Sequence, residues 1–237
     1  MNDAHRRMRL AFLAPMPPEL RPLKTMLSLQ KQTAGGTTLH TGTLGQADVV
    51  AMVTGIGTER AAHATEHILD TGPFDHLLVI GVAGSVSRDL DIGDVVVPDV
   101  VIDAATGTEH RPTPLGATTT GGRILTTDDF TKNPDILSSW TARGITAVDM
   151  ETSAIADVCE QRGCPWSAFR GISDDAFDPL VDEAVLGLTR PDGSANLAAV
   201  ARYVLTKPTR VGLLSRLARD LKAATTAAVV AAVRSCR

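Results

Sequence analysis

The stretch Ala147–Asp174, AVDMETSAIADVCEQRGCPWSAFRGISD, constrains the fold more than any other part of the chain. It starts with an acid, a methionine and a second acid, and then reads as a helix. The helix breaks at Gly163-Cys164-Pro165 and the chain returns as an apolar run, Trp166–Arg170, that continues into Gly171-Ile172-Ser173-Asp174. This is a helix-turn-strand unit. Glu151 stands at the helix entrance and Asp174 just past the carboxyl end of the strand. Ligands of α/β sheets bind outside the carboxyl ends of the strands, so both acids can face one cleft.

The rest of the chain repeats this alternation. Leu10–Ala14 is a short apolar run of the kind found in buried parallel strands. Pro15-Met16-Pro17-Pro18-Glu19 follows, and proline is tolerated in a first helical turn. Glu19 is thus expected at the start of a helix reaching roughly Gln30, at the carboxyl end of the first strand. An acid there also suits the helix dipole, the blander reading of the same residue. Thr37–Leu44 and Val49–Thr54 read as strands joined by a turn at Gly45–Asp48. Gly55-Ile56-Gly57-Thr58 opens a helix to about Asp70. Leu77–Ile80 is a buried strand ending in the small residues Gly81-Val82-Ala83-Gly84-Ser85, and Val95–Val97 is another strand. Ala104–Gly122 is rich in Thr, Gly and Pro and reads as a loop. After Asp178 the pattern is helical: Ala195–Leu205, a break at Lys207-Pro208, then Val211–Val233. Alternating strands and helices predict an α/β fold with a largely parallel sheet. The chain reads as one domain over 1–237, with a helical C-terminal extension over 180–237.

Bulk properties exclude several classes. The 237 residues are 43% hydrophobic, enough for a sizeable core, and 21% charged, which argues against global disorder. Aromatics are only 3%, so the core must be aliphatic. The net charge of -4 does not suggest a nucleic-acid binder. No apolar run is long enough to span a bilayer, and MNDAHRRMR lacks the apolar segment of a signal peptide. Three cysteines in neither a CxxC nor an even framework fit a reducing cytoplasm.

Gly55-Ile56-Gly57 would let a ligand approach the backbone, but Arg60 stands where a dinucleotide fingerprint needs its third glycine. His63, Glu66 and His67 match the HxxEH spelling of some metalloproteases. No downstream acidic helix completes that site, so a solvated helix face is expected and no metal. Gly81–Gly84 would let a ligand reach the backbone. Phe130 offers a flat surface for a base, or a core side chain. In the last helix Leu213, Leu214, Leu217 and Leu221 share one face, away from Arg216, Arg219 and Lys222. Packing on the sheet is the favoured reading; lying on a membrane surface is the sharper one.

Glu19, Glu151 and Asp174 together suit cleavage of an N-glycosidic bond. That reaction needs a proton on the leaving base, an activated nucleophile opposite, and an anion holding the ribose hydroxyls. Carboxylates fill all three roles when burial tunes their pKa values apart.

Over roughly Leu10–Asp178 the chain resembles the nucleoside phosphorylase/nucleosidase superfamily, nearest the methylthioadenosine/S-adenosylhomocysteine nucleosidases. Pro15–Glu19 is similar to that family's Ala-Met-x-x-Glu turn and Gly55–Gly57 to its Gly-Ile-Gly. Gly81–Gly84 is similar to its Gly-x-Ala-Gly, with Ile92–Val97 following as Ile-Gly-Asp-Val-Val-Val. Thr126–Phe130 resembles Ser-Gly-Asp-x-Phe, Val148–Glu151 resembles Val-Glu-Met-Glu, and Arg170–Asp174 resembles Arg-x-Ile-Ser-Asp.

The resemblance implies a three-layer α/β/α sandwich around a mixed, partly closed sheet. It implies Asp174 as general acid at the purine N7 and Glu19 as activator of the attacking water. Substrate binding would fall to Gly57, Val82, Ala83, Gly84, Phe130, Asp149, Met150, Glu151, Arg170 and Ser173. Of these, Glu151 would hold the ribose hydroxyls, Met150 would pack on the sugar, Phe130 would stack near adenine, and Ser173 and Arg170 would support Asp174. No metal or organic cofactor is implied. The partners implied are a small-molecule nucleoside and a second copy of the chain, a homodimer closing the 5′ side of each pocket.

Departures from the pattern sharpen these expectations. Superfamily phosphorylases carry Gly-Asp-Pro-x-Arg near the N-terminus and Arg-x-Gly-Ser at the second strand. Here Pro15–Glu19 and Val79–Val82 stand there, so the arginines that would neutralise phosphate are missing and hydrolysis is favoured. Val82 replaces a serine often found near the water. The stretch between Val101 and Ile124 is shorter than in the methylthioadenosine enzymes, where it helps build the 5′ pocket. Val-Asp-Met-Glu, the short middle and the tail (Pro191-Asp192-Gly193, then Leu214–Asp220) also resemble the hopanoid-associated nucleosidases, for which a leucine-rich basic helix at a membrane surface would suit. A phosphorylase with charge from Arg21, Arg60 or Arg88, and a non-catalytic nucleoside binder, are the alternatives.

Overall fold

The computed structural model describes residues 6–34, 37–129, 131–176, 190–194, 196 and 211–237. Among these residues, eleven strands form one mixed sheet: β1 (Arg9–Ala14), β2 (Gln30–Ala34), β3 (Thr37–Leu44), β4 (Ala47–Val53), β5 (His76–Ser85), β6 (Val95–Val96), β7 (Val100–Asp103), β8 (Glu109–His110), β9 (Arg123–Thr126), β10 (Ile145–Asp149) and β11 (Trp166–Asp175). Five helices are described: α1 (Pro17–Met26), α2 (Thr58–Asp70), α3 (Pro134–Ala142), α4 (Thr152–Gln161) and α5 (Val211–Ser235). The main path runs β2-β3-β4-β1-β5-β10-β9-β7-β8, and β11 pairs with β5 and β6 off that path.

Strand β5 is the hinge of this topology. It lies parallel to β1 and β11, while its last residues, Gly84 and Ser85, also meet β10 antiparallel. The carboxyl ends of β1, β5 and β11 therefore converge where β10 turns into α4. Period-2 alternation sorts the side chains into layers. From β1, Ala11 and Leu13 pack with Ala61 and Ile68 of α2 and Ile155 and Ala156 of α4. Leu10, Phe12 and Ala14 point the other way, onto Leu20 and Leu23 of α1 and Ala228, Val229 and Ala232 of α5. The result is the three-layer α/β/α arrangement with a mixed sheet.

Several boundaries differ from the sequence expectations, each for a local reason. The first helix stops at Met26, because Ser28 takes a left-handed φ of 51° and the chain then enters β2. Strand β5 continues through residues 81–85, whose small residues pair with β11 as far as Ser85. Strand β11 likewise runs five residues past Arg170, and its register slips between Ile172 and Asp174. That irregularity adds one residue, Ser173, and re-aims the side chains beside it. Strands β2, β7, β9 and β10 and helix α3 are additions to the sequence reading. Within 104–122, otherwise irregular, β8 forms a short pair with β7. All of the helix expected at Ala195–Leu205 except Asn196 lies outside the described residues. No described helix is long and apolar enough to cross a membrane.

Candidate active site

Glu19 is the third residue of α1, where a carboxylate meets unpaired amides and the positive end of the helix dipole. The Met16 amide donates to its Oε2 at 2.7 Å, and the Val82 amide to its Oε1 at 2.8 Å. One buried carboxylate thus ties the loop after β1 to the end of β5. Burial pushes its pKa up to about 8, against the pull of the Arg170 guanidinium, with the nearby Glu151 charge raising it further and the two amides lowering it.

Glu151, the N-cap position of α4, is also buried. The Gly57 amide donates to its Oε1 at 3.2 Å and Arg170 Nη2 to its Oε2 at 2.9 Å. Burial raises its pKa to about 7, with Arg170 opposing and Asp149 reinforcing the shift.

Arg170, fully buried on β11, links these acids. Its Nε and Nη2 donate to Asp149 Oδ2 at 2.7 and 2.5 Å. Arg170 therefore pairs with Asp149 and Glu151, instead of supporting Asp174 as expected. Asp149 is buried and enclosed by protein donors: Thr126 Oγ1 at 2.6 Å, the Thr152 hydroxyl and Arg170. It acts on Arg170, so its expected place among the substrate contacts is not what the geometry gives it. Buried charges persist only when paired and hydrogen-bonded, and this network meets that requirement at all but one atom. Arg170 Nη1 is buried and has no hydrogen-bond partner among the described residues. A Cβ at Gly81 would fall 2.5 Å from Nη1 and 2.7 Å from Glu19 Oε1. Donor and acceptor thus flank one point that only glycine leaves open.

Asp174 stands near the end of β11, opposite Gly84 of β5. Ser173 Oγ donates to its Oδ1 at 2.7 Å. A Cβ at Gly84 would lie 3.1 Å from Oδ2, so position 84 must stay small for this carboxyl to sit over the backbone. Ala83 is buried with its methyl in the α2–α4 layer, leaving only its backbone to face a ligand. Met150 is half-buried between the two acids. Phe130 lies outside the described residues.

The structure gives roles to residues that the sequence reading named only as part of a motif. Asp128 accepts from the Thr58 amide at 2.9 Å and from its hydroxyl at 2.5 Å, capping α2 beside Gly57. Thr126 takes the Ser153 amide at 3.0 Å while donating to Asp149. Hydroxyl and acid residues at strand ends and helix starts are the signal that could have found them. His63, Glu66 and His67 are exposed, and no group of residues able to hold a metal occurs among the described residues.

A mixed-sheet α/β protein with paired buried carboxylates at converging strand ends is the class these observations define. A family model described as the phosphorylase superfamily matches residues 9–116 and 113–206, and the chain belongs to that superfamily. It is 31% identical to the 5′-methylthioadenosine/S-adenosylhomocysteine nucleosidase of Colwellia psychrerythraea, over 71% of this chain and 84% of that one. It is 27% identical to the enzyme of the same name from Tolumonas auensis, over 83% of this chain and 100% of that one. The solved Colwellia nucleosidase in complex with adenine shares the fold, with a TM-score of 0.71 and 22% identity over 98% of this chain and 95% of that one.

Proposed function

We propose that the protein hydrolyses the N-glycosidic bond of an adenine nucleoside with a 5′ substituent of the methylthioadenosine or S-adenosylhomocysteine kind. The products are adenine and the 5′-substituted ribose. The placement of Glu19 is the observation that carries this reading. Its oxygens take the Met16 and Val82 amides, backbone donors that a phosphate at that position would need. Phosphate would meet two carboxylates and lose its charge-assisted bonds. Water requires less: an acceptor for its proton, Glu19 Oε1, and a donor to hold its oxygen, Arg170 Nη1.

In the reaction Asp174 gives its proton to the purine N7. Ser173 Oγ donates to its Oδ1, and this reading puts the acidic proton on Oδ2. The C1′–N9 bond breaks, positive charge develops on the sugar, and the buried Glu151 and Glu19 stabilise it. Water then attacks C1′ and Glu19 receives its proton. Glu151 takes the ribose hydroxyls and Met150 packs against the ring. Homology to nucleosidases supports the substrate class.

A larger, lipid-like 5′ group is a second reading. It is favoured by α5, whose Leu213, Leu214, Leu217 and Leu221 are only half-buried while Arg219 and Lys222 are exposed. We further read the protein as a cytoplasmic homodimer forming a single domain per chain; its three free cysteines fit a reducing compartment.

Adenine release from methylthioadenosine and S-adenosylhomocysteine, followed chromatographically, tests the proposal. Release from either is expected. No adenine from any 5′-substituted adenosine would contradict it.

A further inference from the structure

The turn Arg190–Ser194 touches the site without belonging to it. It is internally braced: the Gly193 amide donates to the Arg190 carbonyl at 2.8 Å and the Arg190 amide to the Ser194 carbonyl at 2.8 Å. Asp192 Oδ1 accepts from the Ser194 amide at 2.9 Å and from its hydroxyl at 2.6 Å. The turn also grips two loops. The Ile56 amide donates to the Pro191 carbonyl at 2.9 Å, one residue before Gly57, whose own amide holds Glu151. Gly193 is buried with φ at 77°, and a Cβ on it would lie 2.9 Å from the Met16 Cα and 2.9 Å from the Pro15 carbonyl oxygen.

That last contact falls on one peptide unit. The Pro15 carbonyl and the Met16 amide belong to the same plane. The carbonyl accepts from the Gly55 amide at 3.1 Å and lies under Gly193, while the amide donates to Glu19 at 2.7 Å. Whatever shifts the carbonyl tilts the donor that aims the Glu19 carboxylate.

We propose that Gly193 is a positioning residue: the Arg190–Ser194 turn clamps the Pro15–Met16 peptide and so sets the geometry and basicity of Glu19. This rests on the hydrolase reading of Glu19. The charged groups facing Glu19 are Arg170, from β11, and Glu151, from the start of α4. Of these, Glu151 is linked to the turn only through the Ile56–Gly57 backbone, whereas the Met16 amide lies directly beneath Gly193. Of the contributions to Glu19 acidity, the Met16 amide lowers its pKa. Weakening that bond raises the pKa, so the acid limb of kcat/KM moves to higher pH.

The test compares Gly193→Ala with Gly163→Ala in the full-length protein, using methylthioadenosine as substrate. Gly163 also has a positive φ, 64°, but a Cβ there meets nothing within 4 Å and the residue is remote from the site. Both variants strain a turn; only the first presses on Pro15–Met16. Gly193→Ala is expected to lower kcat about 10- to 100-fold, the scale of a sub-ångström misplacement, with KM little changed and the acid limb shifted upward. Gly163→Ala is expected to match wild type. Asp192→Ala, which loosens the turn without a clash, is expected to change kcat and the acid limb in the same direction by less, and it decides the matter where Gly193→Ala does not fold. Unchanged kcat and pH profile in Gly193→Ala, or in Asp192→Ala in that case, would overturn the inference. Adenine release by wild type separates the two failures: an inactive wild type removes the hydrolase reading itself, whereas an active wild type with unaffected variants removes only the clamp.

Discussion

Asp174→Asn is expected to lower kcat for adenine release by at least ~10²-fold, the usual contribution of a positioned general acid. The substitution preserves shape. The Ser173 hydroxyl can still donate to the side-chain oxygen that replaces Oδ1, and the space over Gly84 admits an amide as it does a carboxyl. What is lost is the proton that makes adenine a neutral leaving group. Substrate affinity is therefore expected to change far less than kcat. Steady-state kinetics check this, and turnover equal to wild type would remove Asp174 from its role.

Glu19→Gln is expected to be as severe, on the order of 10²-fold or more in kcat, because an amide cannot accept the proton of water. It also faces the Met16 and Val82 amides with one acceptor oxygen where the carboxylate had two. A second consequence concerns stability. The folded-state pKa of Glu19, about 8, lies above its ordinary value of 4.5. The folded protein thus holds this proton more tightly than the unfolded chain. That contribution is complete below about 4.5 and is lost as pH rises through about 8. Gln, uncharged throughout, loses nothing over that window. The midpoint of Glu19→Gln relative to wild type is therefore expected to rise with pH between those values, by about 2–4 °C for each kcal/mol. Thermal scans across the range check it; a difference that stays flat or falls would contradict the burial of an ionisable Glu19.

The unit from the acids before α4 to β11 was legible because its signals are local: an acid pair before a helix, a Gly-Cys-Pro break, and an apolar run. Glu19 at the head of α1 was legible for the same reason. The end of β5 was not, because Gly81 and Gly84 carry the ordinary mark of a turn. They are small because Arg170, Glu19 and Asp174 crowd that strand, which only the folded neighbours reveal. The helix was carried on to about Gln30, and β2 went unread, because Leu27 keeps helical spacing with Leu20 and Leu23 and nothing in that spacing shows the chain turning at Ser28. The family resemblance put Arg170 and Asp149 among the substrate contacts and Arg170 beside Asp174. Their pairing spans two strands that are not neighbours in the sheet, and no spacing rule encodes it. The role of Gly193 was hidden likewise, since its contacts lie with Pro15 and Met16 near the other end of the chain.

The central claim is that water, held between Glu19 and Arg170, is the nucleophile. Turnover of methylthioadenosine in ¹⁸O-enriched water containing phosphate tests it most directly, with the sugar product analysed by mass spectrometry. The expected product is free methylthioribose bearing one ¹⁸O at C1, formed at a rate independent of phosphate. A sugar 1-phosphate, or release that requires phosphate, would contradict the claim.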